Sequence, residues 1–409
     1  MKRQSKYKQT ELGMIPEDWD VAKIGDISDT YAGGTPSRSN KEYYGGNIRW
    51  VKSGEVNLGE IFDTEEKITE SGLKNSSAKQ IPENTVLVAM YGATAGKVGI
   101  LRVKGTANQA VLAVPNNRSK FNYRFMYYLL SSKSNKLVNS TQGTGQPNLS
   151  KFLVDNLEIQ IPPMKDQEAI AEVLSTIDKR FDIVGRESRA VERLKAGLMK
   201  KLFDGKKWKF QKITDIFEVE TGTTPSTKEK EYWTNGAVNW ITPADMNNLD
   251  NNLDLPESKR KITQKALKEV NLTLMPTDSI VISTRAPVGY TGIVKKELTF
   301  NQGCKGLIPK DKSKVNTIFY AYYLLSLQEY LNNISGGSTF KELSKDSLCK
   351  LEMPIPSISE QNKIADILIT VDKKLSIQQS KKSKLENIKK SLMNDLLTGK
   401  KRIMMDSQR

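Results

Sequence analysis

The pattern of apolar residues changes from short blocks to long helical spacing, and it does so twice along the chain. Two apolar runs, 85–90 and 279–283, are bounded by turn-forming residues and predict buried strands. A helix is predicted after each run, around 123–130 and 319–327. Each half of the chain therefore predicts a mixed α/β (α+β) domain.

Two long helices are predicted from about 166 to 203 and from about 360 to 397, because apolar residues recur there every three or four positions. Each would be roughly 57 Å long at 1.5 Å per residue, too long to pack on its own domain alone. We therefore expect the two helices to pair as an antiparallel coiled coil. The predicted seams are Ile170, Leu174, Ile177, Phe181, Val184, Val191, Leu194, Leu198 and Leu202, and Ile364, Leu368, Val371, Leu375, Leu385, Ile388, Leu392 and Leu396.

Both predicted helices share further sequence features. The seams turn polar near Ser188 and Lys382, and Gly205 and Gly399 follow the two helices at equivalent places. The spacing of Ser357 and Glu360 is typical of a capping box.

The whole succession of elements occurs twice, at an offset of 189 to 195 residues. The segment 19–27 recurs as 208–216, and the Gly-Thr-Pro-Ser loop at 34–37 recurs as Gly-Thr-Thr-Pro-Ser at 222–226. Asn108-Gln109 recurs as Asn301-Gln302, and Gln167 and Asp178 recur as Gln361 and Asp372. A repeat of this length is a duplicated domain with pseudo-twofold organisation. The predicted boundaries are 1–162, first domain; 163–205, first helix; 206–356, second domain; and 357–409, second helix and tail.

The charge indicates a polyanionic partner. The chain of 409 residues has a formal net charge of +16, and no acidic residue lies between positions 84 and 154. Tyrosine, asparagine and glutamine are interleaved with the basic residues of that stretch, and these side chains contact bases and sugars as well as phosphates. This favours nucleic acid over a generically basic surface.

Several kinds of chemistry are excluded by the residue inventory. The chain has no histidine, which removes the usual general base and the usual zinc ligand. Its two cysteines, Cys304 and Cys349, are interpreted as small core residues in a reducing compartment. No segment has the ~18 consecutive apolar residues of a membrane span, and no signal peptide is evident, so we expect a cytoplasmic protein without membrane contact.

One glycine-rich loop resembles a nucleotide-binding loop only superficially. The segment 92–97 has one residue too few between its glycines, and Val98 stands where a Ser or Thr would hold magnesium. A basic glycine loop against a DNA backbone is the better interpretation. No amino-methyltransferase tetrapeptide and no adenosylmethionine loop is found, so we expect a non-catalytic chain.

With these motifs in this order, the chain resembles the specificity subunit of type I restriction-modification systems over essentially its whole length. The resemblance rests on segment 12–19, on the two Gly-Thr-Pro-Ser type loops, on segment 91–99, on the two Asn-Gln pairs, and on the Ile-Pro/Gln/Ile-Ala helix openings at 161–171 and 355–365. It implies that each mixed domain is a target recognition domain reading half of a split duplex DNA sequence.

The resemblance also implies what the chain assembles with. The paired helices would act as a ruler between the half-sites and would dock two modification (methyltransferase) subunits, which methylate adenine at N6. Restriction subunits (translocase and nuclease) complete such complexes. S-adenosylmethionine, ATP and Mg are expected on those partners, and no cofactor or metal on this chain. Two alternatives are an autonomous nuclease or methyltransferase, and a double-domain regulator or RNA-binding protein.

The candidate DNA-contacting residues are polar, aromatic or basic residues on predicted loops. Arg285 is the foremost candidate for a guanine contact, because arginine can bond both O6 and N7. Asn108, Gln109 and their repeats recur although the half-sites should differ, which favours loop bracing or backbone contact over base reading. The candidates are Thr35, Ser37, Lys52, Tyr91, Thr94, Lys97, Asn108, Gln109, Gln142 and Gln146 in the first domain, and Thr224, Ser226, Thr242, Arg285, Tyr290, Asn301, Gln302 and Lys341 in the second.

Overall fold

A computed structural model describes residues 6–117, 119–140, 148–204, 206–247, 249, 253–285, 287–336 and 342–403. The chain forms two compact units. The first unit combines Met1–Ile183 with Ser383–Arg409, and the second unit is Val184–Lys382. Each unit contains one mixed domain and a segment of both long helices.

In the described part of the first unit, twelve strands and four short or medium helices precede or flank the long helices. The strands are β1 (Tyr7–Thr10), β2 (Gly13–Pro16), β3 (Asp20–Lys23), β4 (Tyr31–Ala32), β5 (Tyr44–Val51), β6 (Glu60–Ile61), β7 (Lys67–Ile68), β8 (Thr85–Ala89), β9 (Val98–Leu101), β10 (Thr106–Ala107), β11 (Val111–Val114) and β12 (Glu158–Ile161). The helices are α1 (Ile24–Ile27), α2 (Glu70–Lys74), α3 (Tyr123–Asn139) and α4 (Lys151–Asp155).

The central sheet of the first unit is buried on both faces. Its strand order is β4-β11-β8-β9-β6, beside a three-stranded sheet β10-β5-β7 and the pairs β12-β3 and β1-β2. Val86 and Val88 of β8 pack into the core shared with α3, whereas Leu87 and Ala89 pack into a second core on the opposite face. Burial on both faces explains why this strand is a continuous apolar run.

Over its described residues, the second unit repeats this plan with one strand fewer in its main sheet. Its strands are β13 (Phe210–Lys212), β14 (Phe217–Thr221), β15 (Val238–Ile241), β16 (Lys261–Ile262), β17 (Ile280–Ser283), β18 (Thr291–Ile293), β19 (Thr299–Phe300), β20 (Cys304–Pro309) and β21 (Glu352–Pro354). The main sheet has the order β14-β20-β17-β18, and a second sheet the order β16-β15-β19. A single parallel bridge from Asp254 to Ile293 stands where the first unit has β6.

The helices of the second unit complete the repeat. They are α6 (Ile213–Ile216), α7 (Pro243–Met246), α8 (Gln264–Glu269), α9 (Thr317–Ser326), α10 (Gln328–Asn333) and α11 (Lys345–Cys349). The long helices are α5 (Met164–Phe203) and α12 (Ile358–Leu397), with α5 preceding this set in the chain. The mixed α/β architecture predicted from the sequence is confirmed.

The two long helices have 40 residues each and begin two residues before the predicted starts. Ser357 precedes α12 and its hydroxyl accepts a hydrogen bond from the backbone N–H of Glu360 at 3.3 Å, as the capping spacing predicts. Gly399 follows α12 with φ +72°, and a Cβ there would lie 2.4 Å from the ring of Pro16. Only glycine fits this end.

Two residues that the sequence predicts in the buried seams are exposed in the structure. Leu194 and Ile388 are 50% and 48% exposed, so they do not belong to the buried faces of their helices. The adjacent lysines, Lys195 and Lys389, turn inward in their place, each paired with an aspartate. Leu174 and Leu368 of the predicted seams are fully buried, whereas Phe181 and Leu385 are partly buried.

In each unit the two helical segments run antiparallel. In the first unit, Asp166 and Asp178 of α5 pair with Arg402, beyond α12, and with Lys389 at 2.5 Å each. In the second unit, Lys195 of α5 pairs with Asp372 at 2.6 Å, and Glu187 accepts a hydrogen bond from Gln378 at 3.0 Å. In both units, residues of increasing number along α5 contact residues of decreasing number along α12. Supercoiling of the pair stays a prediction.

Candidate nucleic-acid interface

A tryptophan supports the glycine-threonine loop of each domain. The indole N–H of Trp50 donates to the carbonyl of Gly34 at 2.9 Å, and that of Trp240 donates to the carbonyl of Thr223 at 3.0 Å. Both rings are buried. These hydrogen bonds therefore hold the loops in a fixed position relative to the core.

The same loops press against the segment that carries the Asn-Gln pair. A Cβ on Gly33 would lie 2.2 Å from the carbonyl oxygen of Ala107, and a Cβ on Gly222 would lie 2.1 Å from that of Asn301. Real side chains cannot make such approaches, so glycine is required at both positions. Two loops distant in sequence thus form one continuous surface in each domain.

A side-chain hydrogen bond joins the two loops in both domains. The hydroxyl of Thr35 donates to the amide oxygen of Gln109, and the hydroxyl of Thr224 donates to that of Gln302. All four side chains are exposed at this bond. The identical contact in both domains supports loop bracing as the role of these residues, and their DNA contact stays a prediction.

The asparagines of the two pairs shape their own loops. The side-chain oxygen of Asn108 accepts from the backbone N–H of Ala110 at 3.1 Å, and that of Asn301 accepts from Gly303 at 3.0 Å. Such bonds to the backbone two residues ahead form Asx turns. Their amide oxygens are thus occupied within the protein.

Two basic candidates are already paired with carboxylates. Lys52 lies 2.9 Å from Glu65 and 3.7 Å from Glu66, and the hydrogen bond that Lys52 donates to Glu65 raises the pKa of the lysine. Arg285 pairs with Glu342 through Nε at 3.1 Å, and both side chains are about half exposed. A DNA contact by either cation requires exchange of a carboxylate for a phosphate or a base, which solvent exposure makes inexpensive.

Three hydroxyl candidates make local bonds. Ser37 lies 2.7 Å from Ser39, and the Ser226 hydroxyl accepts from the backbone N–H two residues later at 3.3 Å. The Thr242 hydroxyl donates to Asp245 at 2.7 Å in a capping box at the start of α7. Ser37 and Ser226 stay candidates on the loop surface, whereas Thr242 belongs to a helix cap.

The glycine-rich segment 92–97 lies in the loop that joins the antiparallel strands β8 and β9, and it begins with a short 3-10 helix at Gly92–Thr94. The backbone of Ala89 donates to Lys97 at 2.9 Å and accepts from Gly96 at 2.8 Å. A nucleotide-binding loop would lead from a strand into a helix, so this geometry supports the rejection of a nucleotide site. Tyr91, 39% exposed, begins the turn, Thr94 lies within it, and Lys97 is exposed at its end.

Tyr290 is placed unlike the other candidates. It packs partly buried in the second core of its unit and lines a cavity of about 320 Å³ together with Lys195 and Asp372 of the long helices. Its ring therefore contributes to the contact between domain and helices. Three further candidates lie outside the described residues: Gln142, Gln146 and Lys341.

Only some basic side chains of the stretch from 84 to 154 are available for contact with DNA. Arg102 and Arg124 lie 3.6 Å and 4.0 Å from Glu60, and burial lowers the pKa of Lys133. Among the described residues of the stretch, the lysines at 97, 104, 120 and 136 are exposed and can meet a phosphate backbone, whereas the exposed Lys151 pairs with Asp155.

An arginine stacked on tryptophan is a further shared feature, and the sequence does not reveal it. The guanidinium of Arg38 lies 5.0 Å from the ring centre of Trp50, and that of Arg260 lies 3.7 Å from Trp233 and 5.4 Å from Trp240. Arg38 directly follows the first glycine-threonine loop, whereas Arg260 precedes β16. Because these positions do not correspond in the repeat, aligning the two halves cannot find the pair.

A buried glutamine ties each domain to its following long helix. The side-chain oxygen of Gln167 accepts from the backbone of Asn122 at 2.8 Å, and its nitrogen donates to Pro162 at 2.9 Å. Gln361 repeats both bonds, to Asn316 and Pro356. Both glutamines are 1% exposed. Their recurrence in the sequence thus reflects a structural brace.

A second tie joins each domain to both long helices. In the first Tyr–Asp–Lys cluster, the hydroxyl of Tyr128 on α3 donates to Asp178 of α5 at 2.7 Å, and Asp178 pairs with Lys389 of α12. In the second Tyr–Asp–Lys cluster, formed by Tyr322, Asp372 and Lys195, the hydroxyl donates to the aspartate at 2.6 Å. Burial and the adjacent aspartate raise the pKa of both tyrosines, so they stay protonated donors.

Neither a metal-binding cluster nor a membrane-spanning helix occurs among the described residues. No group of three or more Cys, Asp or Glu side chains in that part of the chain could hold a metal ion. None of the helices described is both long and apolar enough to span a bilayer.

Comparison with known proteins identifies the duplicated domain. A family model described as the type I restriction modification DNA specificity domain matches residues 16–193 and again 205–387. The type I restriction enzyme MjaIX specificity subunit of Methanocaldococcus jannaschii is 43% identical over 183 residues, which are 45% of this chain and 42% of that protein. The putative type I restriction enzyme MjaX specificity subunit of the same organism is 27% identical over 98% of both chains.

Solved structures share the fold over nearly the whole chain. The S subunit of a type I restriction-modification system from M. genitalium has a TM-score of 0.61 at 18% identity, covering 95% of this chain and 97% of that one. Another chain, from a type I system studied for complex assembly and conformational transition, has a TM-score of 0.63 and covers 94% and 99%. The chain therefore belongs to the family of type I restriction-modification specificity subunits, and it carries two of the family's DNA specificity domains.

Proposed function

We propose that the chain recognises a bipartite, asymmetric duplex DNA site, with one half-site read by each domain. The proposal rests on a comparison of the two domains. They share the same contact between their loops, but their exposed arginines stand at different positions. The threonine–glutamine bond between loops is the same in both domains. The stacked arginines, Arg38 and Arg260, instead come from positions that do not correspond.

Such a combination suits two related readers of different sequences. The braces hold the loops rigid, so ordering them costs little free energy on binding. Exposed arginines at different points can then select different bases, because base contacts in the major groove carry the sequence information. Equal half-sites would need no such difference.

The chain acts within a complex in this proposal. It docks two modification subunits, which methylate adenine at N6, and restriction subunits. S-adenosylmethionine, ATP and Mg bind those partners, and the chain itself supplies specificity without catalysis. Exposed apolar side chains on the long helices support docking there, because burying apolar surface drives protein association: Ile183, Leu194, Ile367, Ile377 and Ile388.

A domain replacement tests the proposal. Residues 208–356 are replaced by a copy of residues 19–162, and the variant is expressed with its modification subunits. Because the helical segments are antiparallel in each unit, we expect methylation of the first half-site present twice in inverted orientation, as a protein twofold predicts. Methylome sequencing gives the motif, with the native chain as control. An unchanged asymmetric motif would refute one half-site per domain.

A further inference from the structure

The two Tyr–Asp–Lys clusters repeat each other across the duplicated chain. Each joins a domain tyrosine, an aspartate of the domain's own long helix and a lysine of the other long helix. In the second cluster the ion-pair side chains are 12% and 10% exposed, and in the first they are 31% and 32% exposed. The chain thus places two ion pairs, and the hydrogen bond from Gln378 to Glu187, in a contact between helices whose remaining seam is apolar.

Ion pairs of this kind add little net stability, because burying their charges is itself unfavourable. Removing two charges from water offsets most of their attraction, and apolar residues of similar size often stabilise a protein as well or better. A buried polar pair can instead select one alignment of two helices, since every other alignment leaves a charge without its partner.

The spacing of the charges along the helices fits this second role. Asp178 and Lys195 of α5 are 17 residues apart, and so are Asp372 and Lys389 of α12. Antiparallel pairing therefore sets each aspartate against a lysine at once. Parallel pairing in the same register would set aspartate against aspartate and lysine against lysine, which is unfavourable.

A slip of one heptad is also disfavoured. In one direction it would move Lys195 from Asp372 to Ala365, and in the other direction to Gln379. The apolar seam resists such a slip less, because leucine, isoleucine and valine recur along it and can replace one another. The tyrosine hydroxyl adds a directional bond that also aligns the domain with the pair.

We infer that the two Tyr–Asp–Lys clusters are positioning sites that lock the register of the paired long helices. Through that register they fix the spacer length between the half-sites, a consequence that rests on the proposed function. Removal of the clusters should therefore leave the fold intact and make the alignment of the helices heterogeneous.

The main test replaces the charges by apolar residues in the full chain. The variant carries Lys195→Met, Asp372→Leu, Lys389→Met and Asp178→Leu. A matched control carries Lys200→Met and Asp366→Leu, which are exposed positions on the same helices. All variants also carry Cys349→Ser, which removes the more accessible native thiol. The other native thiol, Cys304, is buried.

Thiol cross-linking reads the register without any DNA. Gln378→Cys is combined with Glu187→Cys for the native alignment, whose side chains are bonded at 3.0 Å. Arg180→Cys or Leu194→Cys, one heptad before or after residue 187, reports the slipped alignments. We expect the ratio of slipped to native product to rise about tenfold in the cluster variant and to stay constant in the control.

Two results would overturn the inference. A constant ratio with a lower unfolding temperature would show that the clusters only stabilise, and a constant ratio with an unchanged temperature would show no role. If the apolar variant does not fold, Lys→Gln and Asp→Asn at the same four positions keep volume and polarity and should raise the ratio likewise. Since cross-linking is independent of DNA, failure here is distinct from failure of the proposed function, which the methylome reports.

Discussion

Gln361 offers a prediction whose magnitude follows directly from the structure. Its side chain accepts from the backbone of Asn316 at 2.8 Å and donates to the carbonyls of Lys314 and Pro356 at 3.0 Å each. Each bond contributes about 0.5–1.5 kcal/mol net. Gln361→Ala also leaves a part-buried N–H unpaired, so we expect a loss of about 2–4 kcal/mol in the local free energy of opening.

Gln167 serves as an internal replicate. One of its three bonds, to the carbonyl of Lys120, is long at 3.5 Å, so Gln167→Ala should cost less, about 2–3 kcal/mol. Gln264→Ala, at an exposed position, is the control and should stay within about 0.5 kcal/mol.

Hydrogen exchange with mass spectrometry measures these changes separately in each unit. Peptides that cover α9 should lose protection in Gln361→Ala, and peptides that cover α3 should lose it in Gln167→Ala. A loss below about 1 kcal/mol, or an equal loss in both units from either substitution, would refute the view that each glutamine braces its own domain.

Three further predictions concern single side chains. Arg285→Ala should relax one position of the second half-site and cost about 1–3 kcal/mol in binding, and an unchanged methylated motif would argue against a base contact. Lys97→Gln should weaken binding to all sequences alike and reduce the salt slope by about one; a changed sequence preference with the same slope would contradict a phosphate contact. Burial raises the pKa of the Cys304 thiol, so native alkylation at pH 8 should modify Cys349 first, and mass mapping that finds Cys304 first would be contrary.

The elements with strong local patterns were predictable from the sequence. The strands at 85–89 and 280–283 are buried on both faces, which gives an apolar run that no exposed strand shows. The long helices follow from the three-and-four spacing, and the end of α12 follows from Gly399, whereas Gly205 lies outside the described residues. The repeat alone indicates two domains.

What could not be predicted depends on partners far away in the sequence. The seam pattern placed Leu194 and Ile388 inside, because leucine and isoleucine fit it better than lysine does. The neighbouring Lys195 turns inward because Asp372 and Tyr322 meet it there, and periodicity carries no information about them. Arg260 was missed for the same reason, since the ring on which it stacks belongs to another segment.

In the proposed function, two domains read two half-sites at a distance set by the long helices. The most direct test inserts four helical residues after Ser188, with a matching insertion after Lys382, and sequences the methylome of the reconstituted complex. Four residues add about 6 Å, nearly two base pairs at ~3.4 Å each. We predict unchanged half-sites with a spacer about two base pairs longer. Altered half-sites with an unchanged spacer would show that the long helices take part in reading the DNA and do not set the distance between the half-sites.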